Sequence, residues 1–340
     1  MIGAGIIGLS LAISLRKQGL RVLVVERGEP GREASFAAAG MLVGSGTEMP
    51  AILRPLAEES ARIYPEFAHE LEDESGMKVD LREQGTIQIS GGAKFPDSAE
   101  PISRERLQSL EPELIVTSSA AYIGERSVDP RTLTAAALQA ARHRGVDISS
   151  GSEVIALLTS SDSVSGVQTD KASYSAAIVV NCAGAWAGCI APLRLPVRPM
   201  KGQMLAVVGG PSLRHVVRAE EVYLVPRSDG RIVIGSTLED AGYNKQTDAS
   251  TIQRLLHAAQ ELVPELAKAK VHDDWAGLRP GTPDALPILG ETSVRRYFVA
   301  SGHYRDGILL APVTAQLMTD MVIRKPPSRD LTHFSPMRFG

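Results

Sequence analysis

Apolar positions in this chain recur with two periods, and the switches between them mark out its elements. Near the start an apolar helical stretch, Leu9 to Arg16, is closed by Gly19, and a β-rich run, Arg21 to Val25, follows and ends on Glu26. After a turn-rich link, 27–32, comes a run of small residues, Glu33-Ala-Ser-Phe-Ala-Ala-Ala-Gly-Met-Leu42. Such a run is plain helix, or backbone that must lie close to a ligand. Residues 51–76 carry Leu53, Leu56, Ile63, Phe67 and Leu71 near helical spacing. Residues 85–90 alternate as a strand, 91–100 read as loop, and Ser103 opens a short helix before Pro112. A longer helix runs from Asp129, a good cap, through Pro130 in its first turn to Arg144, with Gly145 as terminator.

Further on the period shortens. Glu153–Leu157 and Val164–Thr169 read as short strands, and 177–184 is a continuous apolar run ending in glycine, as a buried parallel strand should. From Val197 to Ser236 the pattern is β: 207–208, 222–225 and 231–234 are strand cores, the last two joined by the turn Ser228-Asp-Gly230. Ile252 to Leu262 is amphipathic helix, 297–301 strand, 302–307 loop and 308–323 helix. The last residues, 326–340, with three prolines, read as a tail. The expected fold is α/β (α+β overall): a Rossmann-type nucleotide domain from 1–50, 129–196 and 276–325, interleaved with a mostly antiparallel β substrate domain from 51–128 and 197–275.

The opening stretch carries chemistry. Gly3, Gly5 and Gly8 form G-x-G-x-x-G. Gly3 permits a tight turn, Gly5 lets the backbone approach a pyrophosphate, and Gly8 lets the helix pack on the strand. The helix start offers unpaired N–H groups to phosphates. Glu26 lies where a carboxylate accepts from ribose hydroxyls. A lone fingerprint also occurs in ordinary Gly-rich turns; here helix, strand and acid are all in register, which points to an adenine dinucleotide. Only Met1 and Ile2 precede Gly3, although the fingerprint ordinarily follows a buried strand of about five or six residues. A misassigned start, a trimmed terminus or a damaged sheet would each account for this; a missing N-terminal segment is the expectation.

Composition narrows the class. The 340 residues hold 44% hydrophobic and 22% charged residues and a net charge of −3, ordinary for a soluble globular chain of about two domains. There is no long basic run, so nucleic acid is not an expected partner, and no apolar window of about 18 residues, so no membrane span is expected. The start lacks the charged region of a signal peptide. Cys182 and Cys189 cannot build a disulfide framework and fit two reduced thiols in the cytoplasm. No metal site is expected.

Two later stretches add candidate groups. Arg279 stands in a Gly/Pro-rich loop, Gly277-Leu-Arg-Pro-Gly-Thr-Pro-Asp284, where a fixed guanidinium suits bidentate capture of a carboxylate; a surface ion pair is the plainer reading. Ser301-Gly-His-Tyr-Arg-Asp-Gly307 repeats the strand, glycine loop and helix start of the opening, and its N–H groups could hold negative charge on a reduced flavin. His303 and Arg305 would then sit near the ring; a solvated loop histidine is the alternative.

Together with 37–42 (Ala-Ala-Ala-Gly-Met-Leu) and 302–312, these stretches resemble the D-amino-acid oxidase superfamily of flavoproteins, and within it the glycine oxidases of the thiamine-biosynthesis type, over nearly the whole chain. The resemblance implies noncovalent FAD held by Ile6, Ile7, Glu26, Arg27, Ser35, Ala39, Gly40, Met41 and Val154, and by His303, Tyr304, Arg305, Asp306, Gly307, Ile308 and Leu309. It implies that Arg279 binds the substrate carboxylate and that Arg305 and Tyr223 contact substrate, Tyr223 being otherwise a strand tyrosine at the β-domain surface. Glu221 stands where relatives can carry histidine, and a carboxylate there could disfavour acidic substrates. The activity implied is oxidation of glycine, or of other small amines, by hydride transfer to flavin with O2 as oxidant, giving glyoxylate, ammonia and peroxide. A thiamine role and a homotetramer are implied in the same way. A sarcosine or D-amino-acid oxidase, a quinone-linked dehydrogenase, and an inactive truncated flavoprotein stay open on sequence.

Overall fold

The computed structural model describes residues 1–44 and 49–340. Its helices are α1 (Ile6–Lys17), α2 (Ala34–Ala37), α3 (Arg54–Ser75), α4 (Arg104–Leu110), α5 (Pro130–His143), α6 (Ala249–Leu262) and α7 (Gly307–Val322). α1 and α5 stop for the same reason. Gly19 and Gly145 take positive φ of 80° and 71°, and Leu20 and Val146 donate back to Leu15 and Ala141, closing a left-handed cap that glycine adopts without strain. At the other end of α5, Asp129 accepts from the N–H of Arg131 at 2.9 Å. The same carboxylate, 3% exposed, pairs with Arg231 at 2.7 Å. Asp129→Ala removes a cap and leaves Arg231 half-buried without that counter-ion, so a loss of about 3 kcal/mol in urea unfolding is expected.

One sheet is mainly parallel. Asp147–Ser150 pairs with Leu23–Glu26, and Val179–Asn181 pairs with Tyr297–Ser301, all in parallel. Ile288–Glu291 adds an antiparallel edge. The two halves are joined through Ile2, which bridges both Val25 and Asn181 in parallel. Four backbone bonds fill that slot: Gly3 to Val25, Val25 to Met1, Ile2 to Val180 and Cys182 to Ile2, each N–H···O at 2.8–2.9 Å. The central position is thus occupied by Met1–Gly3, and α1, α3, α5 and α7 bury their apolar stripes in one core around it. Residues 331–339 do not hang free as a tail: Phe334 and Leu331 enter this core, and Arg338 pairs with Asp284 at 2.8 Å.

The second sheet has eight strands, in the order Lys270–Gly281, Arg198–Val208, Ile232–Gly235, Tyr223–Pro226, Val216–Arg218, Thr86–Ser90, Ser119–Ile123 and Glu100–Ile102. All neighbours are antiparallel except Val216–Arg218 with Thr86–Ser90. The period of two separates its faces. Leu205, Val207, Val217, Leu224 and Ile234 point to α6 and form one core. Met204, Val216, Val225 and Val233 point the other way, toward Ala39 and the nucleotide-type sheet. The mixed α/β architecture read from the sequence is the one observed.

Arg279 corrects one expectation. It lies within the strand Lys270–Gly281, paired to Met200, and not in a loop. The prolines and glycines around it occupy the end of an edge strand, where a missing N–H costs no ladder bond.

Candidate active site: a cavity between two sheets

Two sheets that face one another across a seam leave a cavity of about 910 Å³. Both long helices that follow a glycine turn open into it. α1 starts at Gly5 and α7 at Asp306, and neither cap residue makes a side-chain capping bond. Their first N–H groups and positive dipole ends are therefore directed into the cavity, the arrangement that suits phosphate at one end and developing negative charge at the other.

The opening fingerprint is built as a tight seat. A Cβ on Gly8 would fall on the Gly3 carbonyl oxygen, and Gly3 itself has φ +95°. Gly8 is thus a packing glycine beneath the turn and does not line the cavity, whereas Gly3, Gly5, Ile6 and Ile7 do. The hydroxyl of Ser35 accepts from the N–H of Ile6 at 2.9 Å. Glu26 is buried and lines the wall; its carboxylate accepts from the N–H of Ala4 at 2.8 Å and of Gly28 at 2.9 Å. Those bonds fix the carboxylate and leave lone pairs for hydroxyl donors.

The run of small residues is explained by what crosses it. Ala37 packs on Gly277 so closely that a Cβ there would meet it, and the Ala37 carbonyl accepts from Trp275 Nε1 at 3.1 Å. Gly40 has φ +76°, and its carbonyl accepts from Val128 at 2.8 Å. Arg227, fully buried, donates to the carbonyls of Ala39 at 2.6 Å and Val128 at 3.1 Å. Burial depresses its pKa to about 10. It thereby anchors the 39–41 wall to the antiparallel sheet. Sequence reading gave Arg227 no role; an arginine just past the apolar strand core 222–225 was the available signal. Ala39, Gly40, Met41, Arg27, Ser35 and Val154 all line the cavity.

Trp186 was missed altogether. It follows the expected strand 177–184, shortened here to Val179–Asn181 because Gly184 turns into a 3-10 helix. Arg27 lies 3.5 Å from the Trp186 ring centroid, and Tyr243 stacks on the same ring at 5.3 Å. Lys245, close by in sequence, pairs with Glu33 at 3.1 Å.

At the other end, register brings the substrate candidates onto one face. Met204 is opposite both Trp275 and Gly235, and Gly235 is opposite Tyr223. One step along, Gly202 faces Gly277, and then Met200 faces Arg279. Both glycines act as floors. A Cβ on Gly202 would collide with the Arg279 guanidinium, and one on Gly235 would lie 2.7 Å from the Tyr223 hydroxyl. The guanidinium is oriented by two acceptors, the Thr237 carbonyl at 3.1 Å and the Ser236 hydroxyl at 2.8 Å. A guanidinium has five N–H donors, so others remain for the cavity. Arg279 is held within the sheet face and makes no ion pair among the described residues.

The loop before α7 supplies the third wall. His303, Tyr304, Arg305, Asp306, Gly307 and Ile308 line the cavity; Leu309 does not, because it is turned into the core, where its carbonyl accepts from Ser60 at 2.6 Å. Tyr304 takes φ +49° and donates its N–H to Pro280 at 3.0 Å, tying this loop to the Arg279 strand. His303 is buried and shares a hydrogen bond with Thr314 at 3.1 Å. Burial alone drives its pKa from 6.5 to about 3, so it is neutral at pH 7. It is not a solvated loop histidine. Asp306 is driven the other way, from 3.8 to about 6, by burial.

These shifts have opposite signs in stability. The unfolded chain binds the His303 proton near its ordinary value and the folded chain only near pH 3, so His303 lowers stability as pH falls from about 6.5. Asp306 contributes stability that is present below about pH 4 and lost as pH rises through about 6. The His303 shift is the larger. The urea midpoint is expected to drop as pH is lowered from 6.5 to 4.5, and His303→Asn, which leaves the opposing Asp306 contribution alone, is expected to reverse that slope; an unchanged slope would remove His303 as its source.

Two open helix starts facing one elongated cavity, with an antiparallel sheet presenting an arginine and a tyrosine across it, define a two-part dinucleotide-dependent oxidoreductase. The glycine seat, the helix starts facing the cavity and the small-residue wall fit FAD. The DAO family of FAD dependent oxidoreductases matches residues 1–321, and the chain belongs to it. Glycine oxidase from Geobacillus kaustophilus is 36% identical over 99% of this chain and 96% of its own length. Its crystal structure superposes with a TM-score of 0.92 at 34% identity, covering 99% of this chain and 97% of that one. The bifunctional protein ThiO/ThiG of Trichormus variabilis is 36% identical over all of this chain, which spans 54% of that longer protein. No helix among the described residues is long and apolar enough to cross a membrane.

Proposed function

We propose that this protein oxidises glycine to glyoxylate and ammonia with release of hydrogen peroxide, and that the glycine-derived product serves thiamine thiazole formation. The observation that carries the reading is Arg279, laid over Gly202 and aimed by Ser236 and Thr237 in the same cavity as Tyr223. The names of the relatives support glycine as substrate.

The domain assignment that goes with this reading is 1–50, 129–196 and 276–325 for FAD and 51–128 and 197–275 for substrate. FAD, when bound, supplies the acceptor for two electrons and hands them to dioxygen. The chain's own residues do the rest. Arg279 takes the substrate carboxylate through charge-assisted hydrogen bonds, and Tyr223 beside it fixes the angle. Arg305, at the loop entrance, is the second substrate contact. The amine must be neutral to react, and the protons it releases go to water, so no side-chain base is required. Catalysis is then mainly orientation against the α7 start, whose N–H groups favour negative charge. Asp306, near that start, is the acid whose charge state would matter there. Gly3, Gly5, Ile6, Ile7 and Ser35 seat the pyrophosphate end, with Glu26 on the ribose and Arg27 and Val154 alongside.

The test is an absorption spectrum of the FAD-loaded protein before and after anaerobic glycine. Flavin bands that bleach and return on admitting air, with one peroxide per glyoxylate, support the reading. Bleaching by sarcosine or a D-amino acid and not by glycine would replace the substrate, and bleaching without peroxide would replace the oxidant.

A further inference from the structure

We propose that Arg218 and Gln88 form a second anion subsite in this cavity, which receives an acidic group at the far end of an amine substrate. The inference rests on the glycine-type reading only in placing the first carboxylate at Arg279.

The strand register puts Arg218 on the cavity face. It is opposite Tyr223 across one antiparallel pair and opposite Gln88 across the parallel pair. Val217, next to it, is buried in the opposite layer against α6, so alternation requires Arg218 to face the cavity, which it lines together with Gln88. Its guanidinium is oriented by a bond to the Gln88 side-chain carbonyl at 2.8 Å. Its counter-ion, Glu125, stands back at 3.6 Å; the Arg218 Nε and both Glu125 oxygens are buried without hydrogen-bond partners among the described residues, so the pair is loose and the Nε is shielded from the cavity. A cavity-lining guanidinium whose ion pair is this loose keeps terminal N–H donors that a carboxylate in the cavity can take. Lys94, Glu220 and Glu221 also line this end, but they are exposed and their charges are screened by water.

The spacing selects the ligand. Arg279 ends at the strand Ile232–Gly235 and its continuation, and Arg218 lies two strands away, with Tyr223 on the strand between. Two interstrand spacings are roughly 10 Å. The Arg218 guanidinium leans away from Arg279, onto Gln88 of the next strand, so the two cations stand at least that far apart, with Tyr223 between them, and suit a dicarboxylate backbone of about five carbons. The chemical class is an amino acid whose side chain ends in a carboxylate. Glycine is too short to reach Arg218. This runs against the expectation from Glu221 alone, because Glu221 is exposed and Arg218 is half-buried.

The experiment is calorimetric titration of the FAD-loaded protein at pH 7 with glutarate and with valerate, which differ in a carboxylate for a methyl group. Glutarate is expected to bind about tenfold or more tightly than valerate. In Arg218→Met with Glu125→Gln, which removes the pair together and strands no buried charge, that preference is expected to fall to about twofold or less. Should this variant not fold, Arg218→Gln alone carries the same expectation. The proposal is overturned if the unaltered protein shows no preference. It is overturned if the preference survives loss of Arg218, which would place the second carboxylate on Arg305 or Lys94. It is also overturned if both ligands weaken in proportion, the mark of a purely structural arginine. Neither ligand has an amine, so the ratio is read whether or not glycine is oxidised, and glycine turnover measured in parallel tests the other reading separately.

Discussion

Arg279→Ala is expected to lower kcat/KM for glycine by about 10²- to 10⁴-fold while the bound flavin keeps its spectrum. The size follows from the clamp. Two hydrogen bonds from a cation to a carboxylate contribute about 1.5–3 kcal/mol each, and every 1.4 kcal/mol is about tenfold. Arg279 makes its present bonds to Ser236 and Thr237, both outside the FAD seat, so its loss should spare cofactor binding. Arg279→Lys keeps the charge and loses the fork, and should recover only part of the rate. The decisive measurement is the rate of anaerobic flavin bleaching against glycine concentration. A rate within about threefold of the unaltered protein would end the role assigned to this residue.

Gly8→Ala is expected to weaken FAD binding by about 100-fold. Gly8 touches no part of the cavity; its effect is mechanical. The added methyl group meets the Gly3 carbonyl oxygen, which is backbone and cannot rotate away. α1 must therefore lift from the turn, and the N–H groups it aims at the cavity lift with it. Overpacking of this kind costs about 1–3 kcal/mol, and the same displacement falls on the phosphate seat. Fluorescence titration of the apoprotein with FAD reads the affinity, and a thermal melt without FAD reads the structural part. A melt shifted down with unchanged FAD affinity would mean that α1 positions nothing the cofactor uses.

The opening seat was readable in the sequence because each glycine there answers a local demand, and local demands leave local patterns. Asp129, Gly19 and Gly145 were readable for the same reason. The strand Asp147–Ser150 was not, because Asp-Ile-Ser-Ser has no alternation; it is a strand only because Leu23–Glu26 lies beside it. The strand Ser119–Ile123 failed similarly, since Ser-Ala-Ala-Tyr-Ile is weak in β-branched residues and is stabilised by its neighbours on both sides. Arg279 was recognised as the carboxylate candidate but set in a loop, since Pro280 and Gly281 look like breakers until the edge position of the strand is known. Within the site, what remained hidden depends on contacts between distant segments. Arg227 reaches Ala39, Trp186 lies under Arg27, and Arg218 shares a row with Tyr223. Only Arg227, closing an apolar strand, leaves a trace in the sequence, and that trace does not say what it reaches.

The glycine beneath Arg279 makes tolerance at one position depend on what occupies another. Gly202 has an ordinary backbone conformation, so the demand for glycine there comes from the guanidinium lying across it and not from the peptide. Introduced alone, Gly202→Ala should displace Arg279 and cost activity. Introduced where Arg279 is already alanine, it has nothing left to displace and should cost almost nothing further. The two substitutions are therefore expected to be strongly non-additive. Drift at this strand would then be ordered in time: a lineage that gave up the arginine first could lose the glycine freely, whereas one that lost the glycine first would give up the clamp with it.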